Sequence, residues 1–264
     1  MEHTMPVINL IEKMTLRKGE KQRTVPKVGQ MTASDIVDGV DLVDSEDIGM
    51  TTVDLTASRV GLKVILTDTL VEQQSEDVFA MVGKQMGFAM ARKEDRDAIA
   101  LFSALNGGTT LGADNTELTM TFLAACITKA KSGKYPQPIV VVHHPNAFYA
   151  TVKSVAVTPS ATYPIPHGYS EDLLKSFYKW QVNQVLIFED GNIDKIGATD
   201  SGYGAIFSKS AMVSLQSQGF TKATERDESL FATEVIVSAV YGLFELDDGY
   251  GAPMRYEIGD PATS

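Results

Sequence analysis

From Val71 to Asn106 apolar side chains return every three or four positions: Val78, Met81 and Val82, Met86, Ala89 and Met90, then Ala98, Ile99, Phe102 and Leu105. This is the period of one helix face, not the alternation of a strand. No proline breaks the run, and Gly107-Gly108 closes it as a C-terminal stop. Thr69 with Glu72 offers a capping box, and Ser75 before Glu76-Asp77 a second, acid-rich start. Roughly 30 helical residues would make a rod of about 45 Å, long for a domain of this size.

The middle of the rod breaks the pattern. Arg92, Lys93, Glu94, Asp95, Arg96 and Asp97 follow one another, so charge falls on every helix face. A helix crossing a core could not desolvate them all. Either the turn is solvated, with pairs such as Arg92/Asp95 and Lys93/Asp97, or neighbouring chains supply partners. On this reading Phe79, Val82, Met86 and Phe102 are buried within the chain, and the charged turn stays wet or pairs across a boundary.

Ahead of the helix the pattern is sparse. Residues 1–33 carry Lys13, Arg17, Lys18, Lys21, Arg23 and Lys27 among few large apolar groups. Such an arm cannot offset its ordering entropy alone, so something outside the monomer's core is expected to hold it. Residues 34–58 reverse the sign with Asp35, Asp38, Asp41, Asp44, Glu46, Asp47 and Asp54. Their spacing lacks the ligand pattern of an EF-hand, which leaves a solvated loop or a patch meeting a basic arm on another chain. The stretch 53–67 alternates with β-branched residues and reads as one or two strands, with a counterpart around Gln22–Met31. A hairpin of that kind is marginal without a surface to lie on.

Beyond the glycines a second helix is predicted over about Glu117–Lys131. The continuous run IVVVHH (139–144) reads as a buried strand, and Pro145 opens a helix. Residues 157–170 read as a proline-rich aromatic loop, 171–180 as a short amphipathic helix, and QVNQVLIFED as a strand ending in acids. From Gly202 the pattern turns β-rich: GYGAIFS, AMVSLQSQ, the run 229–246 (strand, or helix in part), a turn at 247–251 and a last strand at 254–258. Together these make an α+β chain.

Composition narrows the function classes. The chain has 264 residues, 44% apolar and 22% charged, which is ordinary for a folded protein. A net charge of −11 argues against non-specific nucleic-acid binding through the overall field. No apolar run spans a bilayer and no signal-peptide core is seen, so a cytoplasmic protein without membrane contact is expected. The single cysteine, Cys126, suits a buried helix position.

Catalytic constellations are missing. His143 and His144 are neighbours that a strand points to opposite faces, and the other histidines are His3 and His167. Gly202-Tyr-Gly204 lacks the third glycine of a dinucleotide fingerprint, and Glu189, Asp190 and Asp194 read as a solvated turn. Tyr163 and Tyr169 fit a ligand loop or an interface equally. Nothing joins nucleophile, base and orienter, so no catalytic residue, cofactor or metal is expected.

The order of elements is more informative than any motif. The stretch GLKVILTDTLVEQQSEDVFAMVGKQMGFAMARKEDRDAIALFSALNGG, then IVVVHHPNAFYATV, then the return from GYGAIFSKSAMVSLQSQ to MRYEI resembles the major capsid proteins of tailed bacteriophages with the HK97-type fold. The resemblance covers nearly the whole chain and implies an N-terminal arm (1–19) and an extended β-hairpin loop (20–67). It further implies a peripheral domain with a long spine helix (68–116 and 211–264) and an axial domain (117–210). It implies a self-assembling, non-enzymatic shell subunit of an icosahedral virion capsid, built in the host cytoplasm as pentamers and hexamers. The packaged DNA would be touched only non-specifically, with a portal and decoration proteins as further partners.

Two departures bear on that picture. No helical scaffolding segment precedes the arm, which implies a separate scaffolding protein. Some relatives crosslink through a loop lysine and an asparagine; Lys63 is the only lysine between Lys27 and Lys84, with no motif that assigns it that chemistry. The expected inter-subunit contacts are the arm cations Lys13–Lys27, the acids Asp35–Asp47 and the block Arg92–Asp97. Two alternatives stay open: an encapsulin-like compartment shell, and a soluble α+β enzyme using His144, His167 or the Glu189/Asp190 turn.

Overall fold

The computed structural model describes residues 6–28, 35, 49–73, 77–156 and 181–260. The chain opens with one helical turn, α1 (Pro6–Leu10), and a short strand, β1 (Glu12–Thr15). β2 (Gln22–Val28) and β3 (Met50–Thr56) pair antiparallel, with Gln22 opposite Thr56 and Val28 opposite Met50. β4 (Ser58–Thr67) leads through α2 (Asp68–Gln73) into α3 (Val78–Ala100). Then come β5 (Leu111–Gly112), α4 (Met120–Ser132), β6 (Ile139–His143) and α5 (Pro145–Ala156). β7 (Gln181–Val182), β8 (Val185–Glu189), β9 (Ser201–Ser208), β10 (Met212–Asp227), β11 (Ala232–Glu245) and β12 (Gly251–Glu257) complete the described chain.

The expected rod is divided. α3 holds 23 residues, about 35 Å at the helical rise. It starts where Asp77 accepts the Ala80 N–H at 3.1 Å, the satisfaction of a free first-turn donor that an N-cap supplies. Ser75 and Glu76 lie outside the described residues. At the far end the chain tightens into a 3-10 turn at Leu101–Ser103.

Among the described residues there are two main sheets; α3 packs on the first, and its last turns reach the core of the second. The first runs β1-β10-β11-β4 and the second β5-β12-β9-β6-β8-β7. β4 presents Val60, Leu62, Val64 and Leu66 to α3, where Met86 and Met90 meet Val235, Val237, Ala239 and Tyr241 of β11. All five residues of β6 are buried, as a continuous apolar strand covered on both faces requires. The largest core forms on this second sheet and takes Leu123, Cys126 and Ile127 from α4 and Phe102 and Leu105 from the end of the α3 run.

Several expectations change here. β4 does not extend the hairpin; it pairs with β11, with Thr67 opposite Ala232, so Lys63 sits in the first sheet, 2.6 Å from Glu234. The last strand, β12, joins β9 in the second sheet and not the long strands β10 and β11. The arm is held by its own chain. Val7, Ile8 and Ile11 enter the main core, Leu16 is buried, and β1 runs parallel to β10. Five apolar side chains (Val7, Ile8, Ile11, Met14, Leu16) suffice once a prepared surface receives them. Phe79 and Val82 are only half-buried, while Met86 and Phe102 are buried as expected.

Candidate assembly surfaces

The charged turn of α3 divides by face. Arg92, Lys93 and Arg96 are exposed, Asp97 is half-buried, and Glu94 and Asp95 are buried. For Glu94 and Asp95 this corrects the expectation of a wet turn or partners on another chain. The physical reason is that α1 and the turn after β8 close over this part of α3, and the chain itself supplies donors. Asp95 accepts the Val7 N–H at 3.2 Å and the Asn192 side-chain amide at 2.9 Å. Asp97 accepts the Tyr241 hydroxyl at 2.8 Å and also bonds Lys93. Arg96 pairs with Asp194 at 2.6 Å. Burial raises the Glu94 carboxyl above its usual range, with Lys13 opposing and Asp95 and Asp97 adding to the rise.

The arm cations also split. Lys13 bonds Asn9 at 2.9 Å, and Arg23 reaches the Thr15 carbonyl at 3.4 Å. Lys27 pairs with Asp247, 2.7 Å away in the same chain, which ties the end of the hairpin away from Leu55 to the turn after β11. Arg17, Lys18 and Lys21 are exposed. Asp35 is exposed as well, while Asp38, Asp41, Asp44, Glu46 and Asp47 lie outside the described residues.

A titratable group lies beside the Lys27–Asp247 pair. The Glu245 carboxyl is pushed up to about 7 by burial, then by its hydrogen bond to Asp248 and that residue's charge, with Lys27 opposing. A carboxyl raised on folding contributes stability that is complete below its ordinary range and lost as pH rises through about 7. Glu245→Gln should therefore flatten the fall in melting temperature between about pH 4.5 and 7 that the unaltered protein shows relative to the variant. Parallel curves for the two proteins would remove Glu245 from the account.

Among the described residues two surfaces stand out for their exposed apolar side chains. The first is the β2–β3 hairpin, a separate two-stranded sheet about 24 Å long at the usual rise. Leu55 alone is buried within it, near the root, while Val28 is 51% and Met50 62% exposed at the other end. The second is an open apolar groove beside α3. It encloses about 620 Å³ and is lined chiefly by Leu62, Val64, Leu70, Met81, Val82 and Phe88. This groove is why Val82 is not sealed. Contiguous apolar exposure of this kind marks a surface that meets another molecule.

The candidate chemical groups serve the fold. Burial lowers His143 to about 4, and its ring stacks on Phe148 with a 6° interplanar angle. The His144 ring accepts the Asn146 N–H at 3.1 Å, inside the first turn of α5. Burial pushes the Cys126 thiol up to about 12, away from a reactive thiolate. Asp190, expected in a solvated turn, is 3% exposed. His3, His167, the aromatic loop 157–170 and the helix expected at 171–180 lie outside the described residues. Among the described residues no three His, Cys, Asp or Glu side chains gather as a metal site.

Sequence comparison adds nothing: no family model and no curated protein matches the chain. Comparison of folds does. The capsid structure of cyanophage P-SCSP1u superposes with a TM-score of 0.67 at 16% identity, over 96% of this chain and 87% of that one. The capsid of a native GTA particle gives 0.71 at 11% identity, over 97% and 91%. The holo-SrpI encapsulin complex from Synechococcus elongatus gives 0.67 at 12% identity, over 100% and 91%. The agreement runs through the whole order of elements, from the arm to the return strands, and so the chain has the HK97-type fold of phage capsid and encapsulin shells.

Proposed function

We propose that the chain is a major capsid subunit whose copies close into an icosahedral phage head around a genome. The observation that carries this reading is the far end of the β2–β3 strands, where Val28 and Met50 stay exposed although Val25 and Val53 pack on the chain's own core and Lys27 pairs with Asp247. Those exposed apolar side chains are the ones a neighbouring copy would cover. The groove beside α3 is the surface they fit, and hairpin-to-groove contact is heterologous, the type that closes into rings. In this reading α3 and the first sheet form the peripheral domain, and α4, α5 and the second sheet form the axial domain. The virion capsid, host-cytoplasmic assembly, a scaffolding protein, a portal and decoration proteins belong to the same proposal.

Val28→Asp combined with Met50→Asp should leave the subunit's melting temperature within a few degrees of the original, because both side chains are exposed. Particle yield in sedimentation should fall at least tenfold. Full yield would remove the hairpin from assembly. Reversal of Arg17, Lys18 and Lys21 to glutamate should likewise lower yield and increase its salt sensitivity, through pairing with the acidic stretch Asp35–Asp47 of a neighbour. Single exposed pairs contribute about 0–1 kcal/mol each, so repetition around the shell must supply the effect. Unchanged yield at all salt concentrations would discard that pairing.

A compartment shell is the second reading, favoured by the likeness to an encapsulin complex over the full chain. The contents of native particles separate the two. Nuclease-protected double-stranded DNA supports the phage head; a single packaged protein and no DNA supports the compartment.

A further inference from the structure

Two carboxyls meet where α1, α3 and the turn after β8 come together. Asp95 is fully buried and Asp190 is 3% exposed. Asp95 uses one oxygen for the Val7 N–H, a free donor of the α1 turn, and the other for the Asn192 side chain. Asp190 accepts the Asn192 backbone N–H at 2.8 Å and donates its own N–H to the His143 carbonyl at 2.9 Å. Its second oxygen, Oδ2, has no donor among the described residues, and Asn192 brings the two carboxyls together by bonding Asp190 through its backbone N–H and Asp95 through its side chain. Two carboxylate oxygens repel unless a proton lies between them.

We propose that Asp95 and Asp190 share one proton at neutral pH, and that this proton latches α1 and the turn after β8 onto the C-terminal half of α3. The surroundings favour it. From α3 Glu94 adjoins Asp95, and from β12 the Tyr256 hydroxyl feels the charge of Asp190. From β6 comes His143, held neutral by burial, with the half-buried His144 beside it. From β8 comes Glu189, itself raised by burial, and from β11 the Tyr241 hydroxyl, spent on Asp97. Three cations lie nearby. Lys13 of β1 acts on Glu94, Arg96 is engaged by Asp194, and the third, Lys195 after β8, acts on His144.

The direction with pH follows. Burial, the bond to Asp95 and its charge push the Asp190 carboxyl up to about 8, with Asn192 opposing. The value belongs to the pair. Because the folded value is raised, the latch is complete below the ordinary carboxylate range and lost as pH rises through about 8. The latch is internal to one subunit, so it goes beyond the shell reading and stands or falls separately from it.

The test uses the full, unassembled chain. Hydrogen exchange of the Val7–Ile11 amides, corrected for intrinsic rate, is followed from pH 6 to pH 9.5. Opening should increase about tenfold per pH unit up to about pH 8 and level off above it, as one proton held only by the closed form requires. Asp190→Asn, whose amide can donate to Asp95, should hold the protection nearly flat. A flat profile in the unaltered protein, or the same slope in both, overturns the proposal. If the variant does not fold, infrared spectra of the unaltered protein decide. A protonated-carboxyl band that persists at neutral pH and disappears as pH passes about 8 supports the shared proton, and absence of a band titrating there refutes it.

Discussion

Phe102→Ala should destabilise the subunit by about 3–5 kcal/mol, the usual range for deleting a buried aromatic ring. Phe102 is fully buried, and its ring lies 5.7 Å from that of Phe207 on β9, tilted by 39°. It stands directly after α3, so this contact fixes the end of the long helix to the second sheet. Alanine would leave a cavity between elements distant in sequence, where collapse can recover little. Denaturant unfolding is the measurement, with Phe102→Leu expected to recover much of the loss. Met81→Ala is the control: Met81 is 55% exposed, and its loss should stay within about 0.5 kcal/mol. Equal effects for Phe102 and Met81 would mean that the main core is not centred where we place it.

Gly242→Ala has the next largest expected effect, about 1–3 kcal/mol of overpacking. A Cβ at this position of β11 would lie 2.2 Å from the Thr56 carbonyl oxygen and 2.7 Å from the Phe244 ring. The Phe244 ring can rotate away, but Thr56 is backbone at the end of β3, so the root of the hairpin must shift. Thermal unfolding should report the loss, and hydrogen exchange at Leu55, buried beside the root, should rise. Assembly should suffer more than stability, since a shift at the root is magnified along the hairpin. A melting curve within experimental error of the original, with Leu55 still protected, would show that the hairpin is not held at Gly242.

Elements with a local signature were legible in the sequence. The apolar period marked α3, the continuous run 139–143 marked β6, and Pro145 marked the start of α5. What was not legible depended on distant partners. Glu94 and Asp95 looked too polar to bury, because the donors that satisfy Asp95, Val7 and Asn192, are 88 and 97 residues away. The arm looked too charged to dock, because nothing local announces the surface that receives Val7, Ile8 and Ile11. β10 was expected only over its first part. Residues 216–226 of it are exposed, and a strand held by pairing with β11 on a solvated sheet carries little apolar alternation. β4 has good alternation, but alternation cannot choose between β3 and β11 as partner. The assembly surfaces were half legible. The hairpin followed from its pattern, while the groove beside α3 arises from how the helix lies on the sheet and has no sequence signal of its own.

The central claim is that copies of this chain build a closed shell through elements exposed on the single subunit. Electron micrographs of the purified protein at rising concentration test it most directly. The account predicts rings of five or six copies, shell fragments and closed particles of curved outline. Monomers at every concentration, with the hairpin and groove intact, would contradict it.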